Sequence, residues 1–346
     1  MKILYLHQYF VPADSPGGTR SYEFARRLAR RGHEVTVVTS CAAMQPEFAD
    51  PTRVTHREID GIKLVILPVP YSNEMSFAQR LGAFGRFAAH ATLETLRKRA
   101  DVIFATSTPL TIAIPGLLGR YARNTPMVFE VRDLWPELPI AIGALENPMA
   151  RTAARAREWA AYHGSSEIVA LSPGMADGVG ATGIPRERIT VIPNSCDIDA
   201  FTTTPETIEA FRRARLPELR ADQPLVVYGG TFGRINDAGW LVDVAAAMTQ
   251  IAPDVRFAYA GGGAEADKIR ARASAAGVLG RSLWMLPPLP KREMPAFLGC
   301  ASVATSLFMP LPEMENNSAN KFFDALAAGK PVAINYRGWQ AELLQR

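Results

Sequence analysis

Residues 2–39 read KILYLHQYFVPADSPGGTRSYEFARRLARRGHEVTVVT, and this stretch decides the fold class. Two short apolar runs, Lys2–Leu6 and Glu34–Thr39, flank an amphipathic segment that predicts a helix over 18–31. Short apolar runs without regular polar alternation are typical of strands that are buried on both faces of a parallel sheet. The stretch therefore predicts a strand, helix and strand unit of an α/β protein.

The same alternation continues along the chain. In the first half we expect strands at Lys2–Leu6, Glu34–Thr39, Ile62–Pro68, Val102–Thr106, Met127–Val131, Glu167–Leu171 and Ile189–Ile192, with helices at about 18–31, 76–98, 109–122, 147–163 and 173–180. In the second half we expect strands at 225–229, 255–260, 282–286, 302–306 and 331–334, with helices near 238–250, 265–276, 291–299 and 320–328. Two doubly wound, Rossmann-like domains with parallel sheets are therefore predicted, and the ligands of such sheets bind beyond the carboxyl ends of the strands.

The length of 346 residues exceeds what one hydrophobic core usually serves, so two domains are expected. A polar, Arg-rich passage that ends near residue 223 separates the two alternating halves. We place the domains at 1–194 and 195–346 and expect their sheets to face one another across a cleft. Because the second domain has only about 150 residues, we expect it to be truncated at its carboxyl end.

Composition and charge exclude several classes of protein. The net charge is +4, and all of the excess lies in residues 1–194, which carry 22 Lys and Arg against 18 Asp and Glu. No basic stripe or nucleic-acid-binding module is visible, so a nucleic acid is not an expected partner. The three cysteines have no spacing that suits zinc or a disulfide framework, and no metal site is expected. Without a signal peptide or a long apolar span, we expect a cytoplasmic protein.

Glycine-rich loops follow several of the predicted strands. Gly17 and Gly18 precede the first helix, Gly230 and Gly233 precede Arg234, and a triple glycine contains Gly262. Glycines let the backbone approach a ligand closely, and the helix that follows directs its N–H groups at an anion. Arg234 is placed to grip a diphosphate with two hydrogen bonds. The alternatives are tight turns and an ordinary solvent-exposed arginine.

The stretch NSANKFFDALAAGKPVAINY (317–336) places polar residues where a helix begins. Helix N–H groups and the charge of Lys321 favour an anion there, and Asp324 can accept a hydrogen bond from a sugar hydroxyl. An ordinary helix cap explains Ser318, but it does not explain the cluster of Glu315, Asn316, Asn317, Asn320 and Lys321.

The stretch FEVRDLWPELPIAIGAL (129–145) ends a predicted strand with charged residues beside apolar bulk. Such surroundings are typical of a binding surface with perturbed carboxylates, and the candidate residues are Glu130, Arg132, Asp133 and Trp135. The alternative is that Arg132 and Asp133 form a structural ion pair. Further upstream, residues 76–99 interleave apolar and basic side chains, which fits either contact with an anionic membrane or simple packing on the sheet.

Together these motifs resemble the retaining family 4 glycosyltransferases, two-domain enzymes of the GT-B fold, and in particular bacterial members from capsule, O-antigen and colanic-acid clusters. The resemblance is carried in order by LHQYFVPADSPGGTRSYEFARRLARRGHEVTVVT (6–39), FEVRDLWPE, VIPNSCDIDAF, YGGTFGR, AGGGAE and NSANKFFDALAAGKPV. It implies a nucleotide-diphosphate sugar held mainly by the second domain, an acceptor held mainly by the first, and no required metal or cofactor. UDP is the expected carrier, with GDP as the alternative, and the acceptor is lipid-linked or a saccharide.

The resemblance also implies roles for individual residues. Arg234 and Lys321 would neutralise the diphosphate, Asp324 would meet the ribose, and the glycines before the first helix would close over the diphosphate. The chain departs from the family at Asn316, where an acid is usual, so that Glu315 is the alternative contact to the donor sugar. A second departure is Gly239, where the family often has a lysine.

A third departure is the stretch EVRDLW, where many members have a histidine. There we select Asp133 to activate or orient the acceptor. The expected function is therefore a retaining, metal-independent glycosyltransferase of bacterial surface polysaccharide synthesis. The alternatives are a sugar-nucleotide epimerase of similar fold and a non-catalytic subunit that binds a nucleotide sugar.

Overall fold

The computed structural model describes residues 1–12, 15, 17–45, 47–72, 75–143 and 145–345. The chain divides into two compact units. The first consists of Met1–Ser15, Thr19–Pro193 and Glu315–Ser318, and the second consists of Pro16–Gly18, Asn194–Met314 and Ala319–Arg346.

The first unit is a sheet covered by helices. Its strands are β1 (Lys2–Leu6), β2 (Glu34–Ser40), β3 (Thr55–Ile59), β4 (Ile62–Leu67), β5 (Val102–Thr106), β6 (Met127–Val131), β7 (Glu167–Ala170) and β8 (Ile189–Val191). Its helices are α1 (Arg20–Arg30), α2 (Phe77–Arg97), α3 (Ala113–Arg123), α4 (Glu137–Ala141), α5 (Pro148–His163) and α6 (Pro173–Gly180). The strands lie in the order β3-β4-β2-β1-β5-β6-β7-β8, in which β1 pairs in parallel with both β2 and β5.

The edge strand β3 corrects the prediction of a purely parallel sheet, because it pairs with β4 in the antiparallel direction. The two strands are joined by Asp60 and Gly61, which both have positive φ angles of 52° and 77°. An Asp-Gly pair with two positive φ angles is the favoured two-residue hairpin turn, because its twist matches that of the flanking strands. The middle residues of β3 are exposed, which is why the strand does not show as an apolar run.

Two layers of apolar side chains form the core of the first unit. One face of the sheet buries a cluster that includes Leu4, Phe87 and Phe129, and the other buries a cluster that includes Tyr5 and Val35. Phe87 lies in α2 and is fully buried, so this helix packs on its own sheet, as one of the two alternatives predicted. The carboxyl ends of β1, β5 and β6 are neighbours at one edge of the sheet.

The second unit repeats the doubly wound arrangement with a smaller, fully parallel sheet. Its strands are β9 (Leu225–Thr231), β10 (Arg256–Gly262), β11 (Leu283–Leu286), β12 (Val303–Ser306) and β13 (Val332–Ile334), in the order β11-β10-β9-β12-β13. Its helices are α7 (Pro205–Arg215), α8 (Gly239–Ile251), α9 (Ala266–Ala275), α10 (Met294–Gly299), α11 (Pro312–Glu315), α12 (Asn320–Ala327) and α13 (Trp339–Leu344). The two parallel, helix-covered sheets confirm the predicted α/β class.

Gly229 and Gly230 lie in strand β9 and not in a loop after it, which corrects the sequence interpretation, whereas Gly233 follows the strand. Gly230 is part of β9 and pairs with Gly261 of β10. A Cβ atom on Gly261 would overlap with the carbonyl oxygen of Gly230, so the close approach of the two strands requires glycine there. The triple glycine is therefore explained in part by packing between strands.

Candidate functional site

In the second unit, Lys321 lies in the first turn of α12 and its ammonium group points at two polar atoms. Nζ donates to Oδ1 of Asn236 at 2.9 Å and to the hydroxyl of Tyr228 at 3.4 Å. Asn236 closes a short 3₁₀ turn, Arg234–Asn236, which follows β9. The contact therefore ties the start of α12 to the turn that carries Arg234.

Two aromatic rings complete the surroundings of Lys321. Nζ lies 4.7 Å from the ring centre of Phe308 and 5.1 Å from that of Tyr228, distances at which a cation is attracted by the ring face. Phe308 is held in place because its N–H donates to Oδ1 of Asn335 at 2.9 Å, and Nδ2 of Asn335 donates back to its carbonyl oxygen. Burial of the ammonium group lowers the pKa of Lys321 to about 7, because the charged form is poorly hydrated there.

Arg234 is exposed and, within the part of the chain that the structure describes, has neither a hydrogen-bond nor an ion-pair partner. It lies two residues from Asn236, in the same 3₁₀ turn. Gly233 caps this turn, and a Cβ atom there would lie 3.2 Å from Nδ2 of Asn236. The turn thus presents a free guanidinium group beside the residue that holds Lys321.

The helix that carries Lys321 begins without a side-chain cap. Its N-cap residue is Ala319, which has no side-chain atom that could accept a hydrogen bond from the first turn. Ser318 lies directly before this N-cap and belongs to the first unit. The first N–H groups of a helix need partners, so the beginning of α12, including Asn320, favours an anionic ligand.

Asp324, one turn further along α12, is already paired. Nζ of Lys291 lies 2.6 Å from both carboxylate oxygens and 5.0 Å from the ring centre of Phe201. The carboxylate also lies near Cys196, and burial together with this negative charge raises the pKa of the thiol. Asp324 is thus fixed in position by a lysine that the sequence interpretation did not include.

The structure divides the predicted polar cluster between the two units. Glu315, Asn316 and Ser318 belong to the first unit, whereas Asn320, Lys321 and Asp324 belong to the second. The carbonyl oxygen of Asn316 accepts a hydrogen bond of 2.5 Å from Ser172, at the start of α6. A Cβ atom on Gly174 would overlap with the side chain of Asn316, so this glycine makes room for it.

The first unit has its own polar cluster at the carboxyl ends of β1, β5 and β6. Nη1 of Arg132 lies 3.4 Å from Nε2 of His7, and Oδ2 of Asp133 accepts a hydrogen bond of 3.0 Å from Thr108. Burial raises the pKa of Asp133 and lowers that of His7 well below its usual value, in both cases because the charged form is poorly hydrated. Among the described residues, Arg132 and Asp133 form no ion pair, so that alternative is not observed.

Glu130 has a structural role beside this cluster. Its carboxylate is fully buried and accepts a hydrogen bond of 2.9 Å from Nε of Arg20. Arg20 also donates to the carbonyl oxygens of Ile192 and Pro193, at 2.8 and 2.6 Å. A buried charge is stable when it is paired in this way, so the network fixes α1 against β6 and the end of the unit.

The remaining predicted residues have simpler surroundings. Gly17 has a φ angle of 133° and Gly18 is partly buried. A Cβ atom on Gly262 would lie 3.0 Å from Pro288, and Trp135 packs against the core of the first unit. A Cβ atom on Gly239 would lie 3.1 Å from Nη1 of Arg272. A guanidinium group is therefore near the position where the family often has a lysine.

The sequence interpretation missed several residues that the fold brings to these sites. Asn236, Tyr228 and Phe308 surround Lys321, Lys291 holds Asp324, and His7 contacts Arg132. Only two of them had a usable signal: Asn236 follows Arg234 by two residues, and His7 directly follows a predicted strand. Among the described residues, no group of three or more His, Cys, Asp or Glu side chains could hold a metal ion.

Comparison with known proteins identifies the class. Residues 17–195 match the family described as glycosyl transferase 4-like domain, which is more than half of the 346 residues. The chain therefore belongs to this glycosyltransferase family. No curated protein matches the sequence.

Solved structures support the same fold. HepE of Anabaena, in complex with UDP and glucose, is 18% identical, with coverage of 100% of this chain and 83% of that chain, at a TM-score of 0.65. Sucrose-phosphate synthase of Thermosynechococcus elongatus is 17% identical, and the match covers 97% of this chain and 82% of that chain at a TM-score of 0.71. A putative UDP-N-acetylglucosamine 2-epimerase of Listeria monocytogenes is 12% identical, and the match covers 99% of this chain and 81% of that chain at a TM-score of 0.60. These similarities confirm the predicted GT-B architecture.

Proposed function

We propose that the protein is a retaining glycosyltransferase that moves a sugar from a nucleotide-diphosphate sugar, most simply a UDP-sugar, to a lipid-linked or saccharide acceptor in bacterial surface polysaccharide synthesis. The observation that carries the proposal is the position of Lys321, which Asn236 holds beside the turn of Arg234. Two similar structures support UDP as the carrier, because HepE was solved with UDP and with UDP-glucose.

In this proposal the predicted second domain, residues 195–346, holds the donor. Arg234, Lys321 and the N–H groups at the start of α12 bind the diphosphate, and Asp324 accepts a hydrogen bond from the ribose. Cations and helix N–H groups stabilise charge on the leaving oxygen atoms, so the reaction needs no metal ion for this purpose. The glycines of the donor site, Gly230, Gly233 and Gly262 with Gly17 and Gly18, allow the backbone to approach the nucleotide closely.

The reaction proceeds through a state in which positive charge develops on the sugar while the diphosphate departs. The configuration at the anomeric carbon is retained when the acceptor attacks this carbon from the same face of the sugar that the diphosphate leaves. The departing phosphate then helps to remove the proton from the acceptor hydroxyl. Because water competes with the acceptor for the donor, its exclusion from the site raises the yield of transfer.

The predicted first domain, residues 1–194, binds the acceptor in this proposal. Asp133 orients or activates the acceptor hydroxyl, and burial raises the pKa of its carboxyl group toward the range in which a carboxylate can exchange a proton. Arg132 and Trp135 contribute a charge and an apolar surface next to it. Asn316, with Glu315 as the alternative, contacts the hydroxyl groups of the donor sugar.

We also propose that α2 contacts an anionic membrane surface where a lipid-linked acceptor is presented. Leu81 and Leu93 of this helix are 49% and 51% exposed, and Arg86 and Arg97 are exposed as well. Exposed apolar residues with basic neighbours favour the interface of an anionic bilayer. Among the described residues, no helix is long and apolar enough to cross a membrane.

A thermal-shift screen of nucleotide sugars tests the proposed donor. A ligand at about 100 times its Kd stabilises the folded protein by roughly 2.7 kcal/mol, so one UDP-sugar should raise Tm clearly above the others. The same sugar should then support transfer to an added acceptor. Conversion or hydrolysis of the nucleotide sugar at full rate without any acceptor would instead favour the epimerase alternative.

A further inference from the structure

His7 stands directly after β1, at the edge of the sheet where the ligands of α/β proteins bind. Its side chain is 3% exposed, and its two ring nitrogen atoms have different surroundings. Nε2 faces Nη1 of Arg132 at 3.4 Å, whereas Nδ1 is buried and has no hydrogen-bond partner among the described residues. The imidazole ring is therefore satisfied on one side only.

The neighbour on the satisfied side determines where the proton of His7 lies. A guanidinium group only donates hydrogen bonds, so Nε2 must accept from Arg132. A neutral imidazole carries one proton, which consequently lies on Nδ1. Burial and the charge of Arg132 both lower the pKa of His7, so the ring stays neutral at pH 7. His7 thus presents one N–H donor on Nδ1.

A buried N–H group without an acceptor is unfavourable, and most buried polar groups in folded proteins are paired. The nearby loop ends are polar. Arg132 is partly exposed, and Asp133 is held by Thr108 at the end of the adjacent strand β5. His7 offers a neutral N–H donor, Arg132 a cation and Asp133 a carboxylate. Together they match sugar hydroxyl groups, each of which can both donate and accept a hydrogen bond.

We propose that Nδ1–H of His7 donates a hydrogen bond to an oxygen atom of the acceptor saccharide. This assignment rests on the proposed function of the first unit as the acceptor side. His7 binds and orients the acceptor and does not remove its proton, because its only lone pair faces Arg132. It contributes to the choice among acceptors by requiring an oxygen atom at that place.

Two substitutions distinguish a role of His7 in binding the acceptor from a role in holding Arg132 in position. The amide nitrogen of Asn is attached to Cγ, like Nδ1 of His, so His7→Asn keeps a donor at the Nδ1 position and loses the contact with Arg132. The end of a Gln side chain reaches the position of Nε2, so His7→Gln keeps an acceptor for Arg132 and loses the donor at Nδ1. Thermal melting of both variants checks that they fold.

The activity test uses a panel of octyl glycosides of common sugars as acceptor probes, with the UDP-sugar found in the thermal-shift screen. For the octyl glycoside that is transferred fastest, His7→Gln should raise KM about tenfold, the effect of losing one hydrogen bond, whereas His7→Asn should stay within about threefold of the wild type. The Kd of the UDP-sugar should remain unchanged in both variants. The opposite order of the two variants, or an equal loss in both, would overturn the proposal in favour of a structural role.

Nuclear magnetic resonance gives a readout that does not depend on turnover. Protein labelled with ¹⁵N-histidine, with the His7 signals assigned by their loss in His7→Gln, should show a neutral ring with its proton on Nδ1 at pH 7, and the octyl glycosides should shift this signal. A proton on Nε2, a charged ring, or no shift with any glycoside would refute the assignment. Binding of a UDP-sugar in the thermal-shift screen would be intact in these cases, so the proposed donor site would stand while the inference about His7 fails.

Discussion

Lys321 combines a positive charge with a poorly hydrated position, so binding of the donor that we propose for this site should depend on pH. Its pKa of about 7 in the free protein means that about half of the molecules carry an uncharged amine at neutral pH. A bound diphosphate favours the charged form, so binding raises this pKa and takes up a proton. Affinity should therefore be highest below pH 7 and fall as the pH rises above it.

The dependence of the Kd of UDP on pH should have a defined slope. Above pH 7, the Kd of UDP should increase by up to about tenfold for each pH unit, until the pKa of the complex is reached. Lys321→Arg is the control, because a guanidinium group stays charged throughout this range. Titration calorimetry between pH 6 and 9 measures both proteins. A slope of the same size in Lys321→Arg would show that another group titrates.

A loss of charge at either cation of the donor site should slow transfer. Arg234→Ala and Lys321→Ala should each lower turnover by roughly tenfold or more, a barrier increase of about 1.4 kcal/mol, because less charge faces the leaving diphosphate. Arg270→Ala is the matched control, since Arg270 is an exposed arginine on α9 of the same unit. Initial rates with a UDP-sugar measure the effect, and near-wild-type rates in both site variants would contradict the assignment.

At the scale of single residues, the sequence predicted both cations but not their surroundings. Arg234 and Lys321 stand in recognisable motifs. Tyr228 lies in β9 and Phe308 lies two residues after β12, which places them 93 and 13 residues from Lys321 along the chain. Only the pairing of β9 with β12 in the sheet brings them together. Local patterns contain no information about such contacts, so a buried lysine with a lowered pKa was not predictable.

At the scale of elements, the pairing of β9 with β10 depends on glycine. Gly261→Ala should lower the free energy of unfolding by about 1–3 kcal/mol, because the new methyl group overlaps with backbone and forces the strands apart. Gly82→Ala is the control: no atom lies within 4 Å of the added Cβ atom, and the helix α2 gains from the replacement. Urea denaturation of both variants gives the comparison, and equal stabilities would exclude the proposed role of Gly261.

Elements differ in how well their sequences predict them. Long helices and buried strands were placed within a few residues of their observed bounds, because apolar periodicity reports burial directly. The strand β3 and the helices α4 and α7 were missed. The middle residues of β3 are exposed, so the strand shows no apolar run. The helix α7 lies in a polar passage that is rich in arginine, although Thr204 caps it and Pro205 occupies its first turn. Hairpin and capping residues thus carried a signal that apolar patterns did not.

At the scale of the whole molecule, the excess positive charge of the first half suits an anionic surface. The protein should bind vesicles that contain phosphatidylglycerol, and a variant with Leu81→Asp and Leu93→Asp should bind them at least tenfold more weakly, because two apolar contacts become negative charges. Ile251→Asp is the control, since Ile251 is 75% exposed in the second unit. Vesicle sedimentation at low and high salt measures binding, and equal binding of all three proteins would exclude α2 as the contact.

The architecture as a whole was predictable because two rounds of strand and helix alternation specify doubly wound sheets. The division of the polar stretch around α12 between the two units was not. Its residues are consecutive in sequence, but Ser172 and Gly174 of the first unit hold Asn316, while the second unit holds Lys321. No local pattern marks where a chain passes from one compact unit to the other.

The tetrapeptide Glu315–Ser318 also matters for protein engineering. It completes the first unit from more than one hundred residues further along the chain, so the first 193 residues alone do not contain the whole of that unit. A chimaera that joins this amino-terminal part to a carboxyl-terminal part from a relative would place a foreign tetrapeptide against Gly174. Exchanges of acceptor specificity between relatives should therefore transplant both pieces together.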